Sequence, residues 1–169
     1  MDAMEAILTR RSVREYTSQP VSREAIEQML RAAMAAPSAH NEQPWCFVVV
    51  QGRAALDELA TTGSHAQMAA DAAAAIVVCG DLKLELKPNS WVQDCSAATQ
   101  NILLAAHAQG LGAVWTHCHP DAVAERDVRR LIDLPDHVVP LAVVLVGHPA
   151  VHASVEDRFL PDRVHWEKW

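Results

Sequence analysis

Residues 90–112 read SWVQDCSAATQNILLAAHAQGLG, and the character of this stretch decides what kind of fold the chain can adopt. Ser90 is placed to start a helix. Gly110 suits the position just past its end, because glycine enters the left-handed conformation without steric cost. Between them Val92, Cys95, Ala98, Ile102, Leu103 and Ala106 recur at helical spacing. Thr99 falls on the same face, where its hydroxyl can bond back to a carbonyl one turn earlier. The other sides are rich in alanine and nearly free of charge. The spacing predicts a helix from Ser90 to about Gln109 that is covered on more than one side, as a central or interface helix is.

Outward from this helix, the C-terminal side holds a short strand at Ala113–Thr116 and a helix from Asp121 to Ile132. An apolar strand at Leu141–Val146 follows, ended by Gly147 and Pro149. On the N-terminal side a continuous β-branched run, Phe47–Val50, reads as a buried strand, and Ala75–Cys79 as a second. A helix from about Ala54 to Thr61 and a weaker one near Ala66–Ala72 separate them. Earlier still, Ser22 can cap a helix carrying Ile26, Met29, Leu30, Ala33 and Met34, with Val21 stapled onto Ile26 and Pro37 beyond its end. Asp2 and Glu5 form a capping box for a first helix to Thr9, with Met4, Ile7 and Leu8 on one face. Helices and strands mix without a strict βαβ alternation, which points to an α+β layer fold. No repeat or linker interrupts residues 1–169, so one domain is expected.

The bulk properties exclude several functions. The chain has 169 residues, half of them hydrophobic and 21% charged, enough to bury a core without staples. A net charge of −7 argues against nucleic acid as a partner, since phosphate backbones call for a positive field. The longest apolar run, Ala72–Cys79, is far short of the roughly 18–20 residues that span a bilayer. The N-terminus lacks the basic region and cleavage site of a signal peptide, so a soluble cytoplasmic protein is expected. Cys46, Cys79, Cys95 and Cys118 contain no C-x-x-C pair and read as free thiols. The tail, about 150–169, has no period yet carries Trp166 and Trp169, so it is expected to pack on a partner subunit.

Two stretches carry chemistry. Arg10, Arg11, Ser12 and Arg14 follow the first helix, and guanidinium forks with a hydroxyl suit phosphate oxygens. A solvated surface cluster fits the same residues. Ala36-Pro37-Ser38-Ala39-His40-Asn41-Glu42-Gln43-Pro44-Trp45 combines two stiffening prolines with small and amide side chains able to bond a flat polar ring system. It reads equally as a helix-to-strand turn plugged by Trp45. His117, Cys118 and His119 match no metal-ligand spacing and read as ordinary strand-end residues.

RRSVR at 10–14 and APSAHNEQPW at 36–45 resemble the FMN-dependent nitroreductase family. So do WVQD opening the long helix, QNILLAA at 100–106, GLGAVW at 110–115 and Asp157-Arg158-Phe159, in the same order from about Ala3 to Trp169. The resemblance implies an α+β three-layer sandwich, with a mixed or antiparallel central sheet flanked by helices. It also implies an intertwined homodimer with two FMN molecules at the interface. Arg10, Ser12 and Arg14 would hold the phosphate and ribityl chain, helped by Arg158, with Arg11 in the same motif using its backbone as much as its side chain. Pro37, Ser38 and Ala39 would lie against the isoalloxazine from the other subunit, with Asn41 a nearby polar contact. Gln67 would meet the ring edge, and the backbone of Val114 and Trp115 would face the flavin. NADH or NADPH would supply electrons to a small electron-poor acceptor, nitroaromatic or quinone, by ping-pong turnover at flavin N5, without a catalytic side chain or a metal. A non-catalytic flavin-binding or redox-regulatory protein, or a specialised flavin reaction, is the alternative on the same fold. The chain departs from larger members in lacking a lid insertion and in carrying Glu156 where some have a second basic residue near Arg158.

Overall fold

A computed structural model describes residues 1–62, 66–151 and 154–169. Strands β1 (Trp45–Val50), β2 (Ala74–Asp81), β3 (Gly112–His117) and β4 (Val138–Gly147) form a sheet in the order β1-β2-β4-β3, every neighbouring pair antiparallel. The central strand β2 is buried from Ala74 to Gly80, as a strand covered on both faces must be. Alternation along the strands sorts the core into two halves. Ile76, Val78, Val144 and Val146 pack under α2 (Arg23–Met34) and α4 (Trp91–Ala108). Ala75, Val77, Val143 and Leu145 face the opposite layer, with α3 (Arg53–Leu59) and α5 (Ala122–Leu131). The result is the expected α+β three-layer sandwich, with α1 (Ala3–Thr9) against α4.

Of the eighteen residues of α4 only Gln93, Gln100 and Ala108 are exposed, so the helix is covered on several sides as its composition requires. Thr99 donates its hydroxyl to the Cys95 carbonyl at 2.7 Å. At the C-terminus Gly110 adopts φ +75°, and the N–H groups of Gly110 and Leu111 close onto the carbonyls of His107 and Ala106, both at 2.9 Å. The N-terminus differs from expectation. Ser90 itself has helical dihedrals (φ −71°, ψ −30°), so its hydroxyl makes no cap, and Glu85 Oε1 accepts the Trp91 N–H at 3.3 Å instead.

Strand β4 starts three residues before its expected boundary, running through Pro140 in the middle of the sheet. The ladder tolerates this because the register shifts between Val78 and Cys79, where Pro140 stands opposite without a donor. The weak helix near 66–72 is one 3-10 turn, Gln67–Ala70. The buried alanines in and beside it, Ala66, Ala69 and Ala72, recur every three residues, which matches the three-residue turn of a 3-10 helix. The four cysteines are free thiols; Cys79, Cys95 and Cys118 are buried and Cys46 is half-buried. In the tail, of which His152 and Ala153 lie outside the described residues, Phe159, Leu160, Trp166 and Trp169 are exposed, and so are Met4, Ile7 and Leu8 on α1.

Candidate functional site

After α1 the chain lies along the end of the sheet. Ser12 bridges Ala113, and the Val13 N–H donates to the Ala113 carbonyl at 3.0 Å. On its other side Thr17 N–H meets the His148 carbonyl, and Ala150 N–H the Glu15 carbonyl, both at 2.9 Å. The segment fits because Gly112 and Gly147, opposite one another in β3 and β4, present no Cβ to Val13 and Tyr16. The buried Tyr16 hydroxyl lies 2.7 Å from the Val13 carbonyl and 3.2 Å from that of Leu145. Residues 10–17 are therefore positioned by backbone bonds on both sides.

Arg10, Arg11 and Arg158 border a cleft of about 630 Å³ whose apolar walls include Ile7, Leu8, Val155 and Phe159. Burial, then Arg158, then Arg11, hold the Arg10 guanidinium below its ordinary value. Among the described residues no ion pair engages Arg10, Arg14 or Arg158. Glu156 and Asp157 border the same cleft without pairing with these guanidiniums, and Arg14 lies with Ser12 and Glu15 in a separate groove; guanidinium forks left without an ion-pair partner suit an anion such as a phosphate. His107 Nε2 lies 2.7 Å from Thr9 Oγ1, and burial, with Arg10 beside it, keeps the imidazole below its ordinary value.

Arg11 has a different task. Its guanidinium donates to the carbonyls of Leu8 (3.1 Å), Arg10 (2.8 Å), Ser154 (3.2 Å) and Glu156 (3.0 Å). The side chain is engaged in tying the end of α1 to the tail, a role its place in a basic cluster does not announce.

The 36–45 loop is built from unusual backbone. His40, Asn41 and Gln43 adopt φ of 51°, 56° and 47°, a left-handed region that non-glycine residues enter only where bonds hold them. Ser38 Oγ accepts the Gln43 N–H at 3.0 Å, and Asn41 Oδ1 accepts from Gln43 Nε2 at 2.8 Å. Asp94 Oδ1 accepts the Ala39 N–H at 3.0 Å, while Glu42 Oε2 accepts the N–H groups of Leu86 and Lys87 at 2.6 and 3.2 Å. Trp45 sits in the core, as the reading of the stretch as a plugged helix-to-strand turn expects. Pro37 and Asn41 are exposed, Ser38 and Ala39 half-buried.

On β3 the Val114 side chain is buried, and strand alternation turns its backbone toward β4. The same alternation points the Trp115 N–H and C=O outward, along the edge that Ala113 offers to Val13. Gln67 is exposed in the layer of α3, apart from both groups. Within one chain the two groups stand at opposite ends of α4. The Thr9–His107 contact holds the basic segment at its C-terminal end, and the Ala39–Asp94 bond holds the loop at its N-terminal end. At 1.5 Å per residue that is about 20 Å of helix.

Comparison with known proteins bears on this arrangement. Residues 7–89 and 61–148 match the Nitroreductase family. A protein of Methanothermobacter thermautotrophicus, named a candidate NADH dehydrogenase/NAD(P)H nitroreductase, is 49% identical over 169 residues, covering 100% of this chain and 88% of that one. The crystal structure of a protein of the same description from Parabacteroides distasonis is 43% identical, with a TM-score of 0.94 over 98% of each chain. A candidate nitroreductase from Desulfovibrio desulfuricans, solved in complex with FMN, is 32% identical with a TM-score of 0.83, over 100% of this chain and 99% of that one.

Proposed function

The chain belongs to the nitroreductase family, and on that premise we propose a homodimeric NAD(P)H-dependent FMN oxidoreductase that reduces an electron-poor small molecule, a nitroaromatic, a quinone or a similar acceptor. Its cofactor is FMN and its electron donor NADH or NADPH. FMN held there would supply the redox chemistry, a two-electron exchange between nicotinamide and acceptor.

The residues present fit that cofactor, and the observation that carries the reading is the unpaired guanidinium set. Arg10 and Arg158, which share a cleft, would receive the dianionic phosphate together with Arg14, whose neighbouring groove carries the exposed Ser12 hydroxyl for the ribityl chain. Arg11 would contribute chiefly backbone, its guanidinium being engaged with the tail. The outward backbone of Trp115 would meet the ring; Val114 would take part only through its place in the strand, and Gln67 would meet the ring edge.

Pro37, Ser38, Ala39 and Asn41 would cover one ring face from the partner subunit. The helix that separates the loop from the arginines in one chain supports a site shared by two chains, and the exposed apolar residues of α1 and the tail need a cover of that kind. With one face covered, donor and acceptor share the other and bind in turn. Residues 1–169 would act as one FMN-binding domain. No helix among the described residues is long and apolar enough to cross a membrane. The nicotinamide donor favours work in the cytoplasm.

The test is the absorption spectrum of the purified protein under anaerobic titration. A flavin band should bleach with NADH or NADPH and return on adding a quinone or nitroaromatic. A bound flavin that neither nicotinamide bleaches overturns the oxidoreductase reading and leaves a flavin-binding protein.

A further inference from the structure

We infer that Glu42 and Asp94 share one proton, and that this proton fastens the 37–43 loop to the first turn of α4, making the pair positioning residues for the cofactor. The positioning half rests on the proposed function; the shared proton does not.

Each carboxyl has one oxygen satisfied and one orphaned. Asp94, only 6% exposed, uses Oδ1 for the Ala39 N–H and leaves Oδ2 buried without a donor. Glu42 uses Oε2 for Leu86 and Lys87 and leaves Oε1 buried without a donor. Both carboxyls lie in the seam between the 37–43 loop and residues 85–94, their orphaned oxygens are the two buried side-chain oxygens without a partner among the described residues, and Glu42 acts on the Asp94 carboxyl. If both were ionised, two buried oxygens would face each other unpaired and repel. A single proton between them makes an O–H···O⁻ bond that satisfies both.

The pair then carries one negative charge, matched by three backbone N–H groups and by the positive end of α4. Its charged neighbours oppose a second ionisation. Glu85 holds the Trp91 N–H in the same turn, and Lys87 meets Glu42 through its backbone. Asp81 and Lys83 lie further back in this connection, and His40 is exposed on the loop. Burial above all raises the Asp94 carboxyl from its ordinary value; the Ala39 N–H pulls it down, and Glu42 and Glu85 add to the rise. A carboxyl raised in the folded chain contributes stability that is full below its unfolded value of about 3.9 and is lost as pH rises through its folded value. Without the proton, the loop loses a bond that keeps His40, Asn41 and Gln43 at positive φ.

Amide substitutions test this on the full-length protein. In Asp94→Asn the new NH₂ group donates to Glu42 Oε1; in Glu42→Gln it donates to Asp94 Oδ2. Either single variant should melt like the parent at the low pH where the pair holds its proton, lose the decline seen as pH rises through the pair's titration, and lose an infrared protonated-carboxyl band. The double variant sets two NH₂ groups face to face. It should melt lower and bind FMN about tenfold more weakly, the usual cost of a polar group left unpaired. Absence of the band in the parent just above the ordinary carboxylate range, or single amides as harmful as the pair, overturns the shared proton. The expected melting pattern with undiminished FMN affinity in the double variant keeps the shared proton and overturns the positioning role.

Discussion

The side chain of Val13 fills the space that a Cβ on Gly112 would need: that atom would sit 2.6 Å from Val13 Cγ1. Gly147, directly across the ladder, stands in the same relation to Tyr16, with 2.7 Å to its Cδ1. The two glycines make a notch through which the basic segment crosses the sheet end. Val13 is stiff at χ1 and cannot swing clear.

Gly112→Ala should therefore cost about 1–3 kcal/mol of stability, the range for overpacking, and should weaken FMN binding as the segment shifts. Denaturant melts and flavin fluorescence titrations measure both. A destabilised Gly112→Ala protein with unchanged FMN affinity would place the phosphate elsewhere.

Arg10→Ala and Arg14→Ala should each weaken FMN about ten- to a hundredfold, the scale of a lost charged hydrogen bond. Riboflavin, which lacks the phosphate, should be indifferent to both changes. Equal losses for FMN and riboflavin would mean that these arginines support the fold rather than the phosphate.

Arg11→Ala should act on the tail instead. Loss of four bonds to backbone carbonyls frees Ser154 and Glu156, so the tail should become sensitive to protease and the dimer should dissociate more readily. Deleting residues 150–169 should give aggregate or unfolded chain, because Met4, Ile7, Leu8 and the apolar tail residues lose their proposed cover. A flavin-loaded monomer in sedimentation counts against the shared site.

How much of this is legible in the sequence depends on the range of the forces involved. Helix α4 and its glycine end are plain because their signals are local: apolar spacing, and one residue free to adopt positive φ. The 3-10 turn is not, since alanines three apart satisfy an α-helix as well. Pro140 hides the early part of β4, because only the opposite strand can supply the bulge that admits it. The arginine cluster is visible as charge, but the distinct duty of Arg11 depends on a tail far along the chain. The Glu42–Asp94 pair is the hardest to read. It forms only after three non-glycine residues take left-handed backbone, which no local preference signals.

His107 reports on the basic segment by titration. Its folded value lies below the unfolded value of about 6.5, so it contributes stability above that pH which is lost as pH falls through the folded value. Arg10 is one cause of the depression, after burial. The His107 midpoint, followed by NMR, should rise in Arg10→Ala and should rise again when phosphate-bearing FMN binds the parent. A midpoint that ignores both would separate His107 from the arginines electrostatically.

Turnover should be ping-pong. Donor and acceptor cannot occupy one exposed ring face together, so double-reciprocal plots at several acceptor concentrations should be parallel, and excess acceptor should compete with the nicotinamide. On the proposed reading the edge of β3 would set the geometry of that face, since the Trp115 backbone points outward while its side chain packs against the core beneath α4. Trp115→Ala should then lower kcat for every acceptor alike, by disturbing the strand edge, rather than alter the choice among them. Acceptor choice should be loose, with quinones and nitroaromatics both reduced. Intersecting lines, with a ternary complex trapped by rapid quench, would require a second binding position and would remove the single-face mechanism even with FMN in place.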